Sequence, residues 1–127
     1  MKEHRLPEAE FIVMKEIWES GSPVTSAQIM NKIGLDRGWK PQTLLTLLSR
    51  LTERGFIEVR PGKGREKLFT ALVSRDEYLA RETSAFMDEV HGRSISSLLA
   101  ALNRETLSDS DMNELQTWFD RLKKRGD

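Results

Sequence analysis

There is no cysteine in this 127-residue chain. That single absence removes disulfides, thiolate zinc sites and cysteine nucleophiles together. Histidine is scarce too. His4 and His91 lie far apart, each without a second histidine nearby, so neither a metal site nor a cofactor is expected. Nowhere does the chain approach the roughly 18 consecutive apolar residues of a membrane span. Its first residues carry charge (Lys2, Glu3, His4, Arg5), whereas a secretory leader holds an apolar run. The expectation is a cytoplasmic protein with no direct membrane insertion. Net charge is also missing, because 20 basic residues match 20 acidic ones.

The balance hides a split. Residues 1–72 hold 12 Lys/Arg against 9 Asp/Glu, residues 73–127 hold 8 against 11, and residues 37–67 hold 8 against 3. A basic centre beside an acidic tail suits a polyanion-binding part joined to a part with another task. The length allows one ordinary domain, or a small domain plus an interaction segment. Three Trp and five Phe supply anchors for a core.

Along the chain the apolar spacing is mostly helical. From Pro7 to Ser20, Phe11, Met14 and Trp18 mark one face with Val13 and Ile17 beside it, and Gly21-Ser22-Pro23 ends the helix. Thr25 and Gln28 form a capping box, with Val24 and Ile29 placed as its hydrophobic staple. That second helix is expected to stop near Ile33-Gly34, glycine permitting a left-handed turn. Pro41 fits the first turn of a third helix. Leu44, Leu47, Leu48 and Leu51 give that helix an inward stripe, and Gly55 stops it. Residues 56–60 then read as a strand, Pro61 to Gly64 as a turn, and residues 67–72 as the returning strand.

Helical spacing resumes at Ser74, which forms a capping box with Glu77 and a staple from Val73 and Tyr78. Leu79, Phe86 and Val90 mark the first apolar face of the tail. Ile95, Leu98, Leu99 and Leu102 mark the second; Met112, Leu115, Phe119 and Leu122 mark the third, after a cap at Ser108. The expected fold is mainly α: a winged helix-turn-helix, residues 1–73, followed by a helical dimerisation region, residues 74–127. Three short helices are too few to enclose a large core, so their apolar stripes suit burial against a second copy of the chain. Packing back on the same chain is the competing arrangement.

With the leucine stripe facing inward, 100° per residue puts Gln42, Thr46, Ser49 and Glu53 near the outer face of the third helix. Thr43 and Arg50 fall on one flank and Leu45 on the other. Gln can pair bidentately with adenine and Arg with guanine, while Thr or Leu can pack on a thymine methyl. An idle solvent face would carry Lys and Glu rather than three mediocre helix formers. Lys63, Arg65 and Lys67, at the hairpin tip, suit phosphates or the minor groove, contacts that position a protein without specifying sequence. The combination points to double-stranded DNA.

Over nearly its whole length the chain resembles the penicillinase repressors, the BlaI/MecI-type winged-helix family. LPEAEFIVMKEIWESG is similar to the family's first helix, and WKPQTLLTLLSRLTERGFIE to its recognition helix and following strand, the most specific part of the likeness. The tail from Asp76-Glu77-Tyr78 through Ser97-Leu98-Leu99 to Leu107-Ser108 follows the family pattern as well. The resemblance implies a homodimeric repressor on inverted-repeat operators built around TACA/TGTA half-sites, with Thr43, Thr46 and Arg50 at matching DNA-contact positions. It also implies a link to antibiotic resistance, through a membrane-bound metalloprotease that senses β-lactam and triggers cleavage in the dimerisation region. Two departures stand out. The family often has basic residues where this chain has Gln42 and Leu45, which puts the operator sequence in doubt. Its cleaved Asn–Phe bond aligns with Ala101-Leu102 here. The copper-sensing branch binds metal through a C-terminal cysteine cluster, so a chain without cysteine falls outside it.

An enzyme is not expected. No Ser/His/Asp set has a usable histidine, and Gly62-Lys63-Gly64 is too short to cradle phosphates. The stronger alternative is a winged-helix protein-interaction module without specific DNA binding, whose partner affinity would be largely independent of salt.

Overall fold

Helix α1 (Glu8–Ser20) begins at Pro7 and ends at Gly21, whose φ of +78° is open to glycine and costly to other residues. Two acids in its first turn, Glu8 and Glu10, suit the positive end of the helix dipole. The computed structural model describes residues 5–105 and 107–126. His4 lies outside the described residues. Val13, Met14 and Ile17 of α1 are fully buried, whereas Phe11 and Trp18 are half-buried at the edge of the core. The inward face is therefore turned toward Val13 and Ile17 from the Phe11–Met14–Trp18 line expected from spacing. Those two large rings instead pack around Tyr78.

Helix α2 (Ser26–Ile29) has its reciprocal cap: Gln28 N–H donates to Thr25 Oγ1, and Thr25 N–H to Gln28 Oε1. It runs on into one wide turn, Met30–Gly34, in which Leu35 N–H reaches back to Met30 O at 3.0 Å. The helix ends at Gly34, where spacing placed its end, but the expected left-handed glycine turn is not there. Gly34 is buried and right-handed, and a Cβ at that position would run into the Met30 side chain, so glycine serves close approach. The left-handed turn falls at Gly38, with φ +69°.

Helix α3 (Pro41–Glu53) starts with proline, whose missing N–H costs nothing in a first turn. It buries Leu44, Leu47, Leu48 and Leu51, each worth about 1.5–3 kcal/mol. Strands β1 (Ile57–Pro61) and β2 (Lys67–Ala71) form an antiparallel hairpin with Val59 opposite Phe69. Val24 adds an isolated bridge to Phe69, its N–H and C=O bonding Phe69 at 2.9 and 2.8 Å. That bridge secures the base of the hairpin to the start of α2.

Helix α4 (Arg75–Glu89) opens with the Ser74–Glu77 capping box. Tyr78 is buried, with its ring centroid 5.8 Å from each of Phe11, Trp18 and Phe56. Its hydroxyl accepts the Leu6 N–H at 2.9 Å, and Trp18 Nε1 donates to Val73 O at 2.9 Å. One compact unit accordingly extends to Thr83, and a second begins at Ser84. The expected division at 73/74 falls earlier than this boundary, because the first turns of α4 belong to the winged-helix core.

In the second unit, Gly92 and Arg93 are left-handed after α4, and the His91 ring lies against Phe86 with Nδ1 2.8 Å from Ser97 Oγ. Ser94 caps α5 (Ile95–Glu105), and Ser108 with Asp111 caps α6 (Asp109–Gly126). Acids in the first turn of α6 and Lys123, Lys124 and Arg125 in its last both suit the dipole. No described helix is long and apolar enough to cross a membrane.

Candidate nucleic-acid interface

With its leucines anchored, α3 leaves the opposite stripe in solvent. Gln42, Thr43, Leu45, Thr46, Ser49 and Arg50 are all exposed. Thr46 donates its hydroxyl proton to Gln42 O at 3.0 Å and leaves its oxygen free to accept. Within the described residues, the side chains of Gln42, Thr43, Ser49 and Arg50 have no hydrogen-bond or ion-pair partner. Four groups able to read base edges are thus held on a rigid helix, unspent by the fold.

The hairpin that packs against this helix carries three cations, of which Lys67 lines a groove shared with α3. Gly62 N–H donates to Glu66 O at 2.8 Å and Glu66 N–H to Lys63 O at 3.0 Å, which closes the tip around Lys63 and Arg65. Lys67 begins the returning strand. Lys63, Arg65 and Lys67 are exposed, and none lies within ion-pair distance of a described carboxylate. Arg37 and Lys40, before α3, are likewise exposed and without an ion-pair partner among the described residues. In the sequence these two counted only toward the basic segment; their position ahead of Pro41 was the available signal for a role. Arg54 and Arg60, by contrast, are held by Glu10 and Glu58.

Between α3 and the hairpin runs an open groove of about 440 Å³, floored by Leu48 and Phe69. Leu45 and Val59 meet it at 45% and 42% exposure, with Ser49, Glu53 and Lys67 around them. This apolar pair was not legible as a pair, because only the folded hairpin brings Val59 to Leu45.

The tail residues singled out by spacing divide by exposure. Leu79, Val90, Ile95, Leu102, Met112, Phe119 and Leu122 are exposed, while Phe86, Leu98, Leu99 and Leu115 are half-buried. Trp118, which the apolar spacing did not single out, is 53% exposed with the Arg121 guanidinium 5.1 Å from its ring centroid. Ala101 and Leu102 sit on the exposed side of α5. Among the described residues, no group of three or more His, Asp or Glu is placed to hold a metal ion.

A helical core whose third helix presents an uncovered polar stripe beside a basic hairpin defines a winged helix-turn-helix protein. The chain belongs to the penicillinase repressor family, whose model matches residues 6–121. The penicillinase repressor of Bacillus licheniformis is 25% identical over 122 residues, spanning 95% of this chain and 94% of that protein. The methicillin resistance regulatory protein MecI of Mammaliicoccus sciuri is 30% identical over 118 residues, spanning 91% and 93%. A solution structure of the DNA-binding domain of the repressor BlaI matches at a TM-score of 0.51 and 27% identity, over 58% of this chain and 88% of that one.

Proposed function

We propose that this chain is a sequence-specific DNA-binding transcriptional repressor that engages inverted-repeat operators as a homodimer. The observation that carries this reading is the exposed polar stripe of α3 together with Lys40, Arg50, Lys63, Arg65 and Lys67. These five cations are exposed and have no ion-pair partner among the described residues, whereas Arg54 and Arg60 are held by Glu10 and Glu58. Unpaired cations cost little in water and are available to displace the counterions of duplex DNA. Gln42, Thr43, Leu45, Thr46, Ser49 and Arg50 read base edges in the major groove; Lys63, Arg65 and Lys67 hold the phosphates. Family membership supports the same assignment.

The exposed apolar residues of α4, α5 and α6 form the dimer contact in this reading, with Trp118 added to the set. Two linked winged helices gain affinity by bivalent engagement, and separating them returns each to a single half-site. Induction through a membrane-bound metalloprotease pathway would act here, at or near Ala101-Leu102, and the names of the relatives favour control of β-lactam resistance genes. No catalytic role is assigned to the chain.

The test is fluorescence-anisotropy binding to a TACA/TGTA inverted repeat and to a scrambled duplex across a salt series. Expected are preference for the repeat, steep weakening with salt, and a loss of about 1–3 kcal/mol on Arg50→Ala. Failure to bind either duplex at low salt would favour the alternative, a protein-interaction module.

A further inference from the structure

Glu53 is a charge that the fold does not explain. It is the last residue of α3, where a carboxylate meets the negative end of the helix dipole. It is exposed, and no described group hydrogen-bonds or ion-pairs with it. Elsewhere in the chain Glu10, Glu58, Glu82 and Asp88 each pair with an arginine. Of the other two acids between residues 37 and 67, Glu58 is neutralised by Arg60 at 2.8 Å, and Glu66 sits in the wing turn with a carboxylate oxygen over Gly62. Glu53 alone stands bare on the outer stripe of α3, seven residues after Thr46 and four after Ser49, on the same groove as Lys67.

Resting on the DNA-binding reading above, we infer that Glu53 is a specificity-determining residue of the recognition helix. A carboxylate facing the base edges of a duplex is satisfied directly by accepting from a base amino group, the N4 amino group of cytosine above all. Where such an edge is present, Glu53 gains a hydrogen bond. Where it is absent, the carboxylate stands desolvated or close to phosphate, and the complex weakens. The residue thus subtracts from the sequence-independent affinity that the neighbouring cations confer on any DNA, and this penalty is lifted only on a matching site.

The experiment compares the wild-type chain with Glu53→Gln and Glu53→Ala at one fixed salt concentration. The two probes are a duplex selected from random-sequence DNA by the wild-type chain and a scrambled duplex of the same composition. The Glu53 carboxylate bonds to no described neighbour, so both variants should keep wild-type helicity by circular dichroism, measured on the same samples. The expected result is a fall of about tenfold in the ratio of selected to scrambled affinity for Glu53→Ala, the scale of one base contact, and a smaller fall for Glu53→Gln, which keeps an acceptor oxygen, with scrambled DNA bound more tightly by both variants. A Glu53→Ala ratio within twofold of wild type overturns the inference, whether both affinities rise together or neither moves. Failure of the wild-type chain to select any sequence would instead overturn the DNA-binding reading, and would show before either variant was made.

Discussion

The carboxylate of Glu10, only 2% exposed, lies 3.2 Å from Nε of Arg54. Glu10 is in the first turn of α1 and Arg54 is the C-cap of α3. The contact is an ion pair without hydrogen-bond alignment, since Glu10 Oε1 has no hydrogen-bond partner. It fastens the end of α3 to the core, and among the described residues it leaves the buried Glu10 carboxylate dependent on one neighbour.

Removing that neighbour should be costly. Arg54→Ala is expected to destabilise the chain by about 1–3 kcal/mol, less than the ~3–5 kcal/mol of a fully buried pair because Arg54 keeps access to water. Urea denaturation measures it. Adding Glu10→Gln to Arg54→Ala should recover part of the loss, since the uncompensated charge is then gone. Equal stability of Arg54→Ala and wild type would show that Glu10 is satisfied by other means.

Acid should loosen the start of α4. Glu77 accepts the Ser74 N–H at 2.9 Å, and this bond, followed by the Ser74 hydroxyl contact, holds its carboxyl below the usual carboxylate range. A pKa depressed in the folded state adds stability above the unfolded pKa, and that stability is lost as pH falls through the folded one. Thermal denaturation from neutral pH down to about pH 3 should show this. Glu77→Gln, which keeps an acceptor oxygen but has no carboxyl to titrate, should lose less stability across the same window than wild type.

The hairpin cations should act on all DNA alike. Changing Lys63, Arg65 and Lys67 together to Gln is expected to weaken operator and scrambled duplex by similar factors. The slope of log K against log salt should fall by about 0.9 for each phosphate that the variant leaves without a cation. A variant that lost only operator binding would place these residues among the base readers.

Dimer formation should depend on the exposed face of α6. Phe119 is 55% exposed in the single chain, so Phe119→Glu costs little within one copy and places a charge in any apolar contact between copies. Sedimentation should report a monomer for the variant and a dimer for wild type, and affinity for an inverted repeat should fall toward that of one half-site. An unchanged dimer would move the contact away from Phe119.

Local signals in the sequence were the most readable. Leu44, Leu47, Leu48 and Leu51 are buried as their spacing demands, and the boxes at Thr25–Gln28 and Ser74–Glu77 both close. Each depends on residues within two helical turns of one another. Long-range features were harder. Val24 reads as a staple residue, and only folding shows that it also bridges Phe69, 45 residues away. Tyr78 follows the tail's helical rhythm, yet its ring fills the gap among Phe11, Trp18 and Phe56, which moves the unit boundary to Thr83. Gly34 carries a turn signal that belongs to Gly38, because glycine answers close packing as well as positive φ. Around α3 the outer stripe was legible from the angle per residue, whereas the partnerless state of its cations required the neighbouring carboxylates to be placed.

The central claim is that the outer stripe of α3 and the hairpin tip meet DNA. Titration of the isotope-labelled chain with the operator duplex, followed by amide and side-chain NMR shifts, tests it most directly. The largest shifts are expected at Thr43, Thr46, Ser49 and Arg50 and at residues 62–67, with the α6 face little changed. Shifts centred on Met112, Trp118 and Phe119, with α3 unmoved, would contradict it.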